Sequence, residues 1–377
     1  MQSSSRKRLT GFFISMAGAI SLFYGAPLLA QSPAAERGMW MANMGQAGLR
    51  RSYSSGSDLG EMVNRAVAYQ MSNRLYEQGR AENPDLRRRD INSRVDSYVA
   101  QNDSLIPLEI SGLDRPLFLR ALGRVAWRDE EDAVKSRNDR IDLGLLYAPS
   151  RYSFVSLGLA GENTDSDLRF VNGSSDGRAW GPRLDAGVVY NDTWSFATRY
   201  DYFTYSGESL VTVPTGDTFL DIDRDVKLRR EYVNLEAIAR YDRRQLDWLP
   251  EGSQLRWHSA LQYLALGYSP RENSLGQTPE EPFGNSQRLG IIRTGLNFSS
   301  TFGENDNWNA SGELMIDHEF DTNMNHPIND SITGSWSIGL TRLFQPGQRM
   351  MVEYQRYENR RGQRSRNNFS LIAVFDF

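Results

Sequence analysis

From Leu117 to the last residue the chain is written in short stretches whose apolar residues recur at every second position. Such alternation sets one face of an extended strand in an apolar medium and the other in a polar one. The stretches are 117–128, 139–148, 152–162, 180–190, 193–205, 229–242, 254–268, 288–301, 308–319, 332–344, 348–358 and 367–377. Trp194, Phe196, Tyr200 and Tyr202 alternate with Ser195, Arg199 and Asp201. Leu255, Trp257, Leu261 and Tyr263 oppose Arg256, His258 and Gln262 in the same way. A soluble sandwich alternates too, so the connections have to separate the two folds.

Some connections are tight: Pro149-Ser150, Asn191-Asp192 and Pro346-Gly347, with 302–307 also short and 243–253 longer. Between them come 129–138, 163–179, 206–228, 269–287, 320–331 and 359–366. Short and long connections alternate along the chain, which is the signature of a transmembrane barrel with short periplasmic turns and long outer loops. Most stretches come close to the roughly 9–11 residues that a tilted membrane strand needs. No strand edge can be left in hydrocarbon, so the wall must close. The sequence therefore predicts an all-β transmembrane fold over residues 116–377, a closed antiparallel up-and-down barrel of about twelve strands. An even count with the last strand ending in the periplasm also starts the first strand there.

The amino-terminal region has a different texture. Arg6, Lys7 and Arg8 precede an apolar stretch from Phe12 to Leu29, and Ala30 stands before Gln31 and Ser32. This reads as a cleaved signal peptide over residues 1–30. Beyond it no run approaches the roughly 20 apolar residues of a spanning helix, and the mean hydropathy is −0.55. Residues 31–115 are expected to be helical or irregular. Asp58 caps a first helix carrying Leu59, Met62, Val63, Ala66, Met71 and Leu75, which Gly79 ends. After Asn83-Pro84 a second helix would carry Leu86, Ile91, Val95, Tyr98 and Val99. Such a segment can stay in the periplasm, plug the lumen as a helix about 10–12 Å across, or reach the surface.

The 377 residues include no cysteine, which excludes disulfides and thiolate metal sites. A net charge of −4 argues against a nucleic-acid partner. By parity the polar face of the strands carries Arg120, Arg124, Asp142, Arg183, Asp185, Arg199, Asp201, Glu236, Arg240, Arg256, Glu313, Asp317 and Glu353. These lumen-lining charges of mixed sign predict a cross-braced interior and no single-sign filter.

No catalytic set emerges. Gly173-Ser174-Ser175-Asp176-Gly177 matches G-x-S-x-G, but it falls in an expected loop between strands, without the strand-to-helix turn that the elbow needs. The histidines are His258, His318 and His326, and adjacent Asp317 and His318 must point to opposite sides of a strand. Asp221, Asp223 and Asp225 would share one side of an extended loop, but Val226 and Tyr232 break the calcium-loop pattern. No enzyme activity, cofactor or metal site is expected.

At the carboxy terminus Phe369, Leu371, Ala373, Phe375 and Phe377 share one parity. This resembles the terminal sorting strand of Gram-negative outer-membrane barrel proteins. The resemblance implies that Phe369, Leu371, Phe375 and Phe377 form a signal for the barrel assembly machinery. The stretch from Asp139 to Tyr205 is similar to the opening half of an autotransporter translocator domain. The similarity rests on Arg140 to Leu146, Val155 to Leu159, the Gly/Ser/Asp-rich 173–177, Asp185 to Tyr190, and Trp194 to Tyr202. It implies an outer-membrane location, lipid and lipopolysaccharide as surroundings, and export or display of the chain's own amino-terminal segment. Autotransporters carry a large passenger, whereas here only residues 31–115 precede the barrel, with no β-helical repeat. The other reading is a channel or transport component with residues 31–115 as a periplasmic adaptor.

Overall fold

The computed structural model describes residues 93–108, 110, 117–130, 134–150, 152–169, 173–215, 218–269, 273–276, 286–303, 306–322, 331–345, 348–360 and 364–376. The strands are β1 (Ser93–Leu108), β2 (Leu117–Glu130), β3 (Val134–Ser150), β4 (Ser153–Leu168), β5 (Gly173–Val189), β6 (Trp194–Thr215) and β7 (Thr218–Tyr241). They continue as β8 (Ser253–Ser269), β9 (Ser286–Phe302), β10 (Trp308–Thr322), β11 (Ile332–Gln345), β12 (Gln348–Asn359) and β13 (Arg364–Asp376). Each strand pairs with its neighbours in sequence, and β1 pairs with β13 to close a barrel. The expected strands are β2 to β13.

β1 corrects the sequence reading. Val95, Tyr98 and Val99, expected on a helix, stand in a strand that pairs with β2 and β13. Tyr98 is 55% exposed on the outer face while Val99 is buried inside, so neighbours point to opposite sides. Their helical spacing is a coincidence that two partner strands override. The first expected helix, from Leu59 to Leu75, and the signal peptide lie outside the described residues.

A thirteenth strand changes the closure. All neighbouring pairs are antiparallel except β1 and β13, which run parallel with Ser93 opposite Arg364 and Leu105 opposite Asp376. One end of the barrel, here the turn end, carries the end of β13 and the connections 109–116, 151–152, 190–193, 242–252, 303–307 and 346–347. The other, the loop end, carries 131–133, 169–172, 216–217, 270–285, 323–331 and 360–363. Ser93 stands at the loop end. The expectation that the first strand starts at the turn end is thereby overturned for the strand that is first in the wall.

The expected long loops are also largely strand. β6 has 22 residues and β7 has 24, and they pair without a register shift up to Thr215 opposite Thr218. At about 3.3 Å per residue the longer strand extends roughly 79 Å, well beyond a hydrocarbon core of about 30 Å. Paired strands satisfy their backbone groups in water as well as in lipid, so nothing forces the ladder to stop at the membrane boundary. Gly173 to Gly177 opens β5 in the same manner, and Asp221, Asp223 and Asp225 alternate on the exposed face of β7. The protruding hairpin is braced by the 270–285 connection: Ser274 donates to the Asp223 carbonyl at 3.0 Å, and Arg224 bridges to Asn273.

The outer face is greasy over a limited height. On β4 it reads Val155, Leu157 and Leu159, then Asn163, Asp165 and Asp167 toward the loop end. On β3 it reads Tyr147, Leu145, Leu143 and Ile141 before Asp139 and Arg137. Leu157 at 64% and Leu314 at 68% exposure have no protein to cover them. Aromatic residues edge this belt, among them Tyr152, Tyr190 and Trp194 near the turn end and Trp180 near the loop end. An apolar band with aromatic borders is how a barrel meets lipid.

Candidate functional site

The inner face has the opposite character. On successive inward positions β3 presents Asn138, Arg140 and Asp142, and β5 presents Arg183 and Asp185, all buried. Register then decides which charges meet. Arg120 on β2 stands opposite Gly144, Gly144 opposite Gly158, and Gly158 opposite Arg183. With no side chain on the two glycines, Arg120 reaches across β3 and β4 to Asp185 at 3.1 Å. Arg183 returns across the same gap to Asp142. A Cβ on Gly158 would press within 2.9 Å of the Gly144 Cα, so the bare backbone is needed for close approach as well.

Around this crossing the charges form a continuous network. Asp185 forms ion pairs with Arg183 at 2.7 Å and Arg199 at 3.1 Å in addition to Arg120. Arg120 also meets Asp103 of the adjacent strand β1 at 3.3 Å, so it links β1 to β5. Arg140 binds Asp142 and Glu162, each at 2.8 Å, and Glu162 takes Arg230 of β7 at 2.9 Å. Arg230 and Arg140 both lie over the Phe203 ring, with guanidinium carbons 4.5 and 5.3 Å from its centroid. Taking such ions out of water costs several kcal/mol apiece, so single pairs rarely stabilise. Shared carboxylates, each with several donors, are how the cost is offset.

Across the lumen the pattern is sparser. On β9 and β10 Arg293 and Asp317 form a two-point pair at 2.7 and 2.6 Å. Asn234 donates to Glu236 at 2.7 Å, and His258 Nε2 stands 3.6 Å from the other Glu236 oxygen. The inner surface also holds apolar groups. Leu105, Phe118, Leu146, Ala148, Phe154 and Ala197 cluster toward the turn end. Tyr232, Leu264, Leu266, Leu289 and Ile291 cluster toward the loop end.

Of the residues that parity assigned to the lumen, Arg120, Arg124, Asp142, Arg183, Asp185, Arg199, Asp201, Glu236, Glu313 and Asp317 are buried on inward positions. Arg240, Arg256 and Glu353 are half-buried. Arg256 donates to Gln254 at 3.1 Å, and Glu353 accepts from Ser337 at 2.9 Å. Parity reasoning passed over Asp103, Arg140, Glu162, Arg230 and Arg293. Arg140 shares the parity of Asp142 and was within reach of the same argument. Glu162 and Arg230 also lie inside expected strands, 152–162 and 229–242, and share the inward parity of Ser156 and of Glu236.

The sorting strand is placed in part. Phe369 and Leu371 face outward and are exposed, whereas Phe377 and the side chain of Phe375 lie outside the described residues. His258 points into the lumen and His318 points out of it, on the outer face beside Phe320. His326 lies outside the described residues.

No family model matches the chain, and no curated protein matches it. Among solved structures it is similar to the β domain of the Bordetella autotransporter BrkA, with 12% identity over 64% of this chain and 89% of that one and a TM-score of 0.48. It is similar to the translocator domain of the autotransporter NalP from Neisseria meningitidis, with 12% identity over 78% of this chain and 94% of that one and a TM-score of 0.47. A Pseudomonas aeruginosa FadL homologue gives 12% identity over 68% and 69% and a TM-score of 0.43.

Proposed function

We propose that this chain is an outer-membrane barrel of a Gram-negative bacterium that displays its own amino-terminal segment at the cell surface. The observation that carries the reading is the position of Ser93, opposite Arg364 at the loop end of the wall. The outer end of such barrels is the one with the larger excursions beyond the membrane, and here β6 and β7 run far past the apolar belt at the loop end. On this reading the chain enters the wall at Ser93 from the outer side. A periplasmic adaptor would instead require the chain to pass back through the lumen, past the Arg120, Arg183, Asp142 and Asp185 crossing. Lipid holds the apolar belt, lipopolysaccharide surrounds the protruding β6–β7 hairpin, and the barrel assembly machinery reads β13.

Protease added to intact cells tests this reading. Display predicts cleavage within residues 31–92 from outside, with Arg87, Arg88 and Arg89 as trypsin sites. Cleavage only after the outer membrane is opened would replace display by the adaptor reading. Planar-bilayer conductance of the full chain addresses the channel: display predicts a barrel that stays closed, and steady ion conductance would favour transport.

A further inference from the structure

We propose that the lumenal face of β7, β8 and β9 binds a primary ammonium carrying a short alkyl chain. Three adjacent strands present two tiers there. Nearest the loop end, Tyr232 stands opposite Leu264 and Leu264 opposite Leu289, and these pack with Leu266, Ile291 and Leu228. Deeper in the lumen, Asn234 stands opposite Gln262, and Glu236 opposite Ala260, with His258 on the next inward position of β8. From Tyr232 to Glu236 the strand runs about 13 Å at about 3.3 Å per residue.

The deeper tier holds buried polar atoms that lack a hydrogen-bond partner: the acceptors Glu236 Oε2 and Asn234 Oδ1, and Tyr232 Oη and His258 Nε2, which can donate or accept. Glu236 Oε2 has His258 Nε2 at 3.6 Å. Glu236 is 3% exposed, and no arginine or lysine among the described residues forms an ion pair with it. The neighbouring guanidiniums are bonded elsewhere, Arg293 to Asp317 and Arg199 to Asp185. A buried carboxylate with an unfilled oxygen is costly and favours whatever brings it a charged donor. An ammonium group offers three donors and no acceptor. The Tyr232 ring belongs to the apolar tier and its hydroxyl to the polar one, so a ligand laid along β7 needs a cationic head and an apolar tail. Among the described residues no group of three His, Asp or Glu side chains is set to hold a metal ion. The groups on neighbouring strands that face this site are Arg199 and Asp201 of β6 and Arg293 of β9.

The inference stands apart from display, which needs no lumenal amine. Its test is calorimetric titration of hexylammonium into the full-length protein in lipid nanodiscs, with empty nanodiscs subtracted. Saturable binding is expected, with hexanoate showing none. Glu236→Gln should weaken it by about tenfold or more, the scale of a charged hydrogen bond. Tyr232→Phe, which removes only a hydroxyl, should weaken it by a few fold and serves if Glu236→Gln fails to fold. Asp223→Asn on the exposed hairpin should leave binding unchanged. The proposal is overturned if hexylammonium shows no heat beyond empty nanodiscs, if hexanoate binds equally, or if folded Glu236→Gln keeps its affinity.

Discussion

Asp185 is the carboxylate on which three guanidiniums converge, from β2, β5 and β6. Replacing it with alanine leaves Arg120, Arg183 and Arg199 short of a counter-charge inside the wall. Breaking a buried network in this way costs about 3–5 kcal/mol. Urea unfolding of Asp185→Ala in lipid should show a loss of that size. A loss below 1 kcal/mol would mean that water, and no ion network, fills this part of the lumen. The same carboxylate shows what sequence can and cannot say at this scale. Its inward direction follows from Leu184 and Val188 on the other parity, and so does that of Arg183. Its partners do not follow, because Arg120 is 65 residues away and meets it only through the Gly144 and Gly158 registers. Glycines that leave room for an arginine look like any other glycines in a strand.

Among the strands, β1 was hidden from periodicity and β2 to β13 were not. Its outward positions include Asp96, Ala100 and Asn102, so the greasy stripe that gives the other strands away is missing. Val95, Tyr98 and Val99 offered a helical spacing in its place. The parallel seam is directly testable in a chain without cysteine. Ala100→Cys with Leu371→Cys places thiols on Cα partners across β1 and β13 and should oxidise to an internal disulfide. Val125→Cys with Leu371→Cys should stay reduced; crosslinking of that pair instead would mean that β2 meets β13 directly. The β6–β7 hairpin allows a second trial. Replacing 209–224 by Asn-Gly joins Glu208 to its partner Asp225 through a favoured hairpin turn. The shortened barrel should still insert and keep its heat-resistant mobility on gels. Protease should then cut the 270–285 connection faster, since its contacts to Asp223 and Arg224 are gone. The sequence placed this hairpin among the loops because a membrane strand needs only about 9–11 residues, although Leu220, Ile222, Val226 and Leu228 alternate with Asp221, Asp223 and Asp225.

As a whole the molecule inverts the usual distribution, with ion pairs inside and Leu143, Leu157, Leu314 and Ile338 bare on the outside. Removal of detergent from the purified protein should therefore drive it to aggregate, as seen by light scattering. A stable monomer in plain buffer would contradict a lipid-facing belt. The odd number of strands also bears on how such a gene can grow. A wall with an even number of crossings can be copied head to tail, since each copy begins and finishes in the same compartment. Here the beginning at Ser93 and the finish of β13 lie at opposite rims. A linker joining two copies in tandem would have to traverse the bilayer, about 30 Å or roughly nine extended residues, and would itself become one more strand.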